Sequence, residues 1–366
     1  MRIALLSHMH HPIAEPYQGG TEAHTAMLAD ALVSRGHRVT LFAKEGSVST
    51  AAVHPLVPAD FEFVNLATPL VRRQQRGFLA ESVHHSIDLI RGGDFDVVLN
   101  NSLSSLPYSL MDDLPMLTIL HTPANLDDVT DIVARPGWTP SPLHRWVTVS
   151  ESNARDWRRL LPDVGVVPNG IHLDRWTSSA APRPNVAVWA ARITREKGLH
   201  LAIDAARAAG MELEFAGPVS RRDYFDEQIA PRLGADVRYR GHLAHAALAD
   251  FFASGAVFVA SPLWAEPFGL SVVEALACGT PVASLPYGAA RELIGPGAGA
   301  IAGSEDVAAL ADAMFRASRV PRAQAKAAST RFAFDGMIDG YESVLRELTG
   351  IGSDGGASDV AEGVAV

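Results

Sequence analysis

Trp264-Ala-Glu-Pro-Phe-Gly-Leu-Ser-Val-Val-Glu-Ala-Leu-Ala-Cys-Gly-Thr-Pro-Val282 decides the fold of this 366-residue chain. The apolar run 256–260 just before it reads as a buried strand. Pro267 and Gly269 mark a turn, and a helix starts near Leu270 with Val272, Val273, Leu276 and Ala277 on its apolar face. Gly279 ends that helix where a residue tolerating positive φ sits most easily. Glu266 lies in the loop and Glu274 in the helix, with seven residues between them. Unpaired N–H groups and the positive dipole end make Phe268, Gly269, Leu270 and Ser271 a seat for a phosphate or a sugar hydroxyl. Two acids beside such a seat repel a bare phosphate but accept hydrogen bonds from hydroxyls. A nucleotide sugar, with hydroxyls at both ends and a diphosphate between, satisfies both demands. Either glutamate alone could be a solvated helix start; the pair around a Pro-Phe-Gly turn is more specific.

The segment resembles the Glu-x7-Glu signature of retaining glycosyltransferases of the GT4 type, in its turn, both acids and the tail Ala275, Ala277, Gly279, Pro281 and Val282. The resemblance implies the GT-B fold: two Rossmann-like, doubly wound parallel-sheet domains facing across a cleft. It also implies a hexosyltransferase that uses a nucleotide-diphosphate sugar. UDP-glucose is the default donor because similar enzymes use it most often, while the acceptor, whether small molecule, lipid or glycan, stays open.

A chain of this length supports two full cores at 48% hydrophobic content. A net charge of −10 without a long basic run speaks against a nucleic-acid partner. The single cysteine, Cys278, rules out an internal disulfide framework and suits a reducing cytoplasm, the expected location. No run of 18 apolar residues is present, so no membrane span is expected, and peripheral membrane contact stays open. Oligomeric state is not legible.

In chain order, the first strand is read at 2–7, and Gly19-Gly20-Thr21-Glu22 opens an amphipathic helix that Gly36 stops. The second strand is 38–43. This βαβ unit lacks the G-x-G-x-x-G dinucleotide fingerprint. Further strands are expected at 61–66, 97–100, 116–121 and 146–150, with helices at 76–91 and 152–160, an alternation that predicts a parallel, doubly wound sheet. His121 falls at a strand end, where ligands bind in such sheets. His8, His10 and His11 are dense enough to suggest a metal, yet no cysteine is near and the loop is irregular, so they are read as lining the acceptor side. The acceptor surface is assigned to loops 8–18 and 66–77, the latter holding the basic run from Arg72 to Arg76.

Val166-Val167-Pro168-Asn169-Gly170-Ile171 is similar to the segment closing the first domain of the family, with His172 where an aspartate is usual. Residues 178–185 read as a linker, and a strand at 186–190 opens the second half. Arg192 and Lys197 then bracket a turn, a fork and a point charge suited to a diphosphate. Strands at 212–216 and 237–240 and helices at 247–253, 307–317 and 334–348 follow. The expected domains are 1–177 on the acceptor side, 178–335 on the donor side, a crossing helix at 336–349, and a disordered tail at 350–366.

The resemblance assigns catalysis to His121, Arg192, Lys197 and Glu266. It assigns donor binding to Gly19, Gly20, Gly241, His242, Phe268, Gly269, Leu270, Ser271 and Glu274, together with Arg192, Lys197 and Glu266. Glu274 would accept from ribose hydroxyls, and no cofactor or essential metal is expected. The alternatives are a nucleotide-sugar epimerase on the same fold and a non-catalytic nucleotide-sugar binding protein.

Overall fold

The computed structural model describes residues 1–351 apart from Pro16, 64–67 and 126–127. Seven short strands make the first sheet: β1 (Arg2–Ser7), β2 (Arg38–Lys44), β3 (Ala52–Val57), β4 (Val97–Asn101), β5 (Met116–Leu120), β6 (His144–Thr148) and β7 (Gly165–Val166). They lie parallel in the order β3-β2-β1-β4-β5-β6-β7. Ile3 faces Val39 on one side and Val97 on the other. The β4 and β5 strands are buried along their whole length, Asn100, Asn101 and Thr118 included, as strands covered on both faces are. The second sheet holds β8 (Arg183–Ala190), β9 (Glu212–Ala216), β10 (Val237–Tyr239), β11 (Gly255–Ala260), β12 (Val282–Ser284) and β13 (Gly299–Ile301). It too is parallel, in the order β10-β9-β8-β11-β12-β13. The molecule is a GT-B fold, two Rossmann-like sheets facing one cleft.

Three local expectations need correction. The third strand is Ala52–Val57, not 61–66. Pro55 lies inside it, and a proline with no N–H to donate is tolerated because β3 is the edge strand and the register shifts beside it. Phe61 instead stacks on Phe78 at 4.2 Å, and 64–67 lie outside the described residues. The stretch from Pro69 onward, read partly as loop, is a helix, Pro69–Gly92, because Thr68 caps the Val71 N–H and Pro69 sits in the first turn. The linker is shorter than 178–185, since β8 begins at Arg183. That guanidinium forks onto the buried Glu214 carboxylate of β9 at 2.7 and 2.8 Å and holds the strand start in the sheet.

The last helix, Phe334–Thr349, packs on the first half. Ile171 N–H donates to Phe332 O at 2.9 Å and Phe334 N–H donates to Ile171 O at 3.0 Å, so the chain crosses over beside Gly170. Met337, Ile338, Tyr341 and Leu345 then join Ile3, Leu5, Leu28 and Leu41 in one core. Burying such side chains is worth roughly 1.5–3 kcal/mol each, whereas an exposed pair such as Arg35 with Asp335 contributes about 0–1 kcal/mol. Apolar packing therefore holds the helix. His172 stacks on Phe334 at 3.9 Å and so serves the crossover. The tail expected at 350–366 lies, past Ile351, outside the described residues. No helix among the described residues is long and apolar enough to cross a membrane.

Candidate active site

A cleft of about 970 Å³ runs between the two sheets. The residues lining it leave the carboxyl ends of strands, as the parallel topology requires: His8 after β1, His121 after β5, Arg192 after β8, Gly217 after β9 and Ser261 after β11.

Lys197 and Glu266 are distant in sequence and meet because β8 and β11 are neighbours. The turn carrying Lys197 is tied to the end of β11. Ser261 Oγ donates to Lys197 O at 3.0 Å, and Leu263 N–H donates to Glu196 O at 2.7 Å. Gly198 has φ +65°, and a Cβ there would stand 2.1 Å from Ser261 O, so only glycine lets this turn close on the strand end. The chain continues into Trp264 and Glu266. Lys197 Nζ donates to Glu266 Oε2, and the same oxygen accepts Trp264 Nε1–H at 2.9 Å. Lys197 Nζ also lies 5.3 Å from the centre of the Trp264 ring. The residues read separately as diphosphate cation and sugar acceptor are thus one pair. Arg192, exposed in the cleft wall, makes no hydrogen bond or ion pair with another described residue.

The motif helix is Leu270–Ala277, with Gly269 before it and no side chain capping its first N–H groups. Leu270 and Ser271 open into the cleft, and Phe268, which also lines it, is buried with its ring against Phe332 at 5.7 Å. Gly20 meets this helix start from the other half: a Cβ there would be 3.4 Å from Leu270 Cδ1. Gly19, one residue earlier, also lines the cleft.

Glu274 lines the cleft with part of its surface open, yet burial pushes its carboxyl from an ordinary 4.5 up to about 8. Near neutral pH the carboxyl is therefore held protonated and able to donate as well as accept. Between pH 4.5 and about 8 the folded protein holds this proton and the unfolded chain does not, so stability falls as pH rises through that window. Glu274→Gln removes the titration. Its melting temperature, compared with wild type in steps from pH 5 to 8.5, is expected to gain steadily on wild type as pH rises. Equal curves would place the carboxyl at its ordinary value.

The first half supplies histidines. His121 Nε2 is buried without a hydrogen-bond partner among the described residues, and burial, with His24 second, holds its ring well below the ordinary value and neutral. Its ring meets the buried His24 ring edge-on at 4.7 Å, and His24 Nε2 bonds Tyr341 OH at 3.1 Å. His8 Nε2 stands 3.5 Å from Glu22 Oε1, both buried. His10, lowered to about 4 by burial, packs on Phe63 at 4.6 Å. Leu103, at φ +57° the one non-glycine with positive φ among the described residues, completes this wall. No group of three or more His, Cys, Asp or Glu among the described residues could hold a metal ion.

Of the expected site residues, all but Gly241 line the cleft. Gly241 lies behind His242, where its carbonyl accepts Gly217 N–H at 2.9 Å. Trp264, Glu22 and His24 were missed. Trp264 lay in the quoted stretch without a role. Glu22 followed the Gly-Gly turn, and His24 is an interior helix residue whose partners come from far along the chain.

Two Rossmann-like sheets, a terminal helix crossing back, and a cleft with cations and carboxylates on one wall define a glycosyltransferase of the GT-B fold. The first half matches the sequence model described as Glycosyltransferase Family 4 over residues 18–175, and the second matches Glycosyl transferases group 1 over residues 172–330. The chain belongs to the GT4-type glycosyltransferases. It is 27% identical to glycogen synthase of Mycobacterium tuberculosis, over 92% of this chain and 91% of the relative. It is 28% identical to phosphatidyl-myo-inositol mannosyltransferase of the same organism, over 81% of each. The solved structure of Anabaena Alr3699/HepE in complex with UDP-glucose shares the fold, with a TM-score of 0.71 and 19% identity over 95% of this chain and all of that one (100%).

Proposed function

We propose that this chain is a retaining glycosyltransferase that moves glucose from UDP-glucose to a hydroxyl of an acceptor bound against the first half. One observation carries the reading: Arg192, without a partner among the described residues, and the Lys197–Glu266 pair line the same cleft as the start of Leu270–Ala277, which no described side chain caps, with Gly20 opposite. That is a seat for a diphosphate with a hydroxyl acceptor beside it. The Anabaena structure in complex with UDP-glucose favours this donor.

In the reaction, the acceptor oxygen attacks the anomeric carbon from the face the diphosphate leaves. The bond from that carbon to the phosphate oxygen breaks, and the acceptor proton passes to the departing oxygen. Arg192 and Lys197 stabilise the growing negative charge, with the N–H groups of Leu270 and Ser271 and the Gly19-Gly20 turn assisting. Glu266 holds sugar hydroxyls, Glu274 the ribose, and neutral His121 positions the sugar. In this reading the cations carry the charge without an essential metal, the two halves close over the donor, and the enzyme works in the cytoplasm.

Calorimetric titration with UDP, GDP, ADP and dTDP, then the matching sugar donors, tests this. Binding to UDP above the others, and a product whose anomeric configuration by NMR matches the donor, is the expected result. Binding to none of the four would end the transferase reading, and an inverted product would end the retaining one.

A further inference from the structure

Glu292 stands outside the cleft lining and has no part in the chemistry above. Its carboxylate crosses from the second half to the first, where Oε2 accepts Glu151 N–H at 2.8 Å and Oε1 accepts Ser152 N–H. These are the first free N–H groups of the helix Glu151–Trp157, whose positive end favours a carboxylate. The neighbouring Ser150 makes a second link. Its hydroxyl donates to Pro267 O at 2.6 Å, in the loop between Glu266 and Phe268, and accepts Asn153 N–H at 3.0 Å. One short segment of the first half thus grips the second half twice.

The grip continues toward both the crossover and the donor wall. Glu292 O accepts from Arg331 Nη2, next to Phe332, whose carbonyl takes the Ile171 N–H at the crossover. In the other direction, Glu292 N–H donates to Ala289 O at 2.9 Å, and Ala289 N–H donates to Glu266 O at 3.0 Å. A continuous hydrogen-bonded path therefore joins the first half, the crossover and the backbone of Glu266.

We propose that Glu292, with Ser150, is a positioning residue: a clasp between the halves that fixes the Glu266–Phe268 loop and about which the cleft closes. The clasp lies beside the crossover, so closure turns on it and leaves it intact, while the Gly20–Leu270 approach opens and shuts. A carboxylate that only capped its helix would have no effect beyond that helix.

Hydrogen exchange followed by mass spectrometry on the full chain separates the two. Glu292→Ala is expected to speed exchange both in 151–157 and in 264–277, and to weaken UDP binding by about tenfold at temperatures well below melting. Glu292→Gln, which keeps one acceptor oxygen, is expected to restore part of both. Ser150→Ala removes one hydroxyl and is expected to loosen 264–277, which keeps the test decisive should Glu292→Ala fail to fold. Faster exchange confined to 151–157, or no change in either segment, overturns the proposal. The exchange result needs no ligand. Wild type that binds no nucleotide would therefore sink the donor reading and leave the clasp to be judged by exchange alone.

Discussion

Lys197→Ala is expected to lower turnover by about 100- to 1,000-fold, the usual cost of removing one group that stabilises transition-state charge, and to weaken UDP binding below calorimetric detection. Lys197 Nζ is one of two permanent cations among the described residues lining the cleft, the other being Arg192. Its loss leaves Glu266 with the Trp264 indole alone, so a carboxylate the lysine had neutralised faces the incoming diphosphate. The effect is thus double: an attraction is removed and a repulsion exposed. The pair is mostly buried, its side chains 17% and 20% exposed, so some loss of stability accompanies the change and turnover is compared where both proteins are folded. Turnover within tenfold of wild type in folded protein would take Lys197 out of the reaction.

Gly288→Ala carries the second large effect, although the residue holds no functional group. Gly288 has φ +55°, and a Cβ there would lie 2.1 Å from Glu266 O and 2.4 Å from Glu266 N. Left-handed backbone in a residue with a Cβ costs about 1–3 kcal/mol where the surroundings impose it, and here the added carbon also strikes main chain that has no rotamer to escape into. The loop must shift and carry Glu266 away from Lys197. Denaturant unfolding should show a loss of at least that size, and UDP titration a parallel loss of affinity. Gly303→Ala is the control, since no atom lies within 4 Å of its added carbon. Equal behaviour of the two variants would show that Gly288 does not set the position of Glu266.

Much of the site was legible because its pieces are local. The Pro-Phe-Gly turn, the helix from Leu270 and the two glutamates are set by spacing within one stretch, and the structure starts the helix at Leu270. The strand that holds Pro55 was not legible, because its proline breaks the usual pattern and only its edge position in the sheet excuses it. Glu274 was identified as an acid in the cleft, but its protonation follows from how closely neighbouring atoms crowd it, which no spacing reports.

By itself the sequence determined the kind of elements, their alternation, the family and the residue types that a diphosphate and a sugar require. The tertiary structure alone decided which of those residues touch. It placed β8 beside β11 and so joined Lys197 to Glu266, set Gly288 against the backbone of Glu266, and brought Glu292 across to the helix at Glu151. The reason is that helix starts and turns depend on neighbours a few residues away. The meeting of strand ends depends instead on sheet order, which the packing of the whole chain selects.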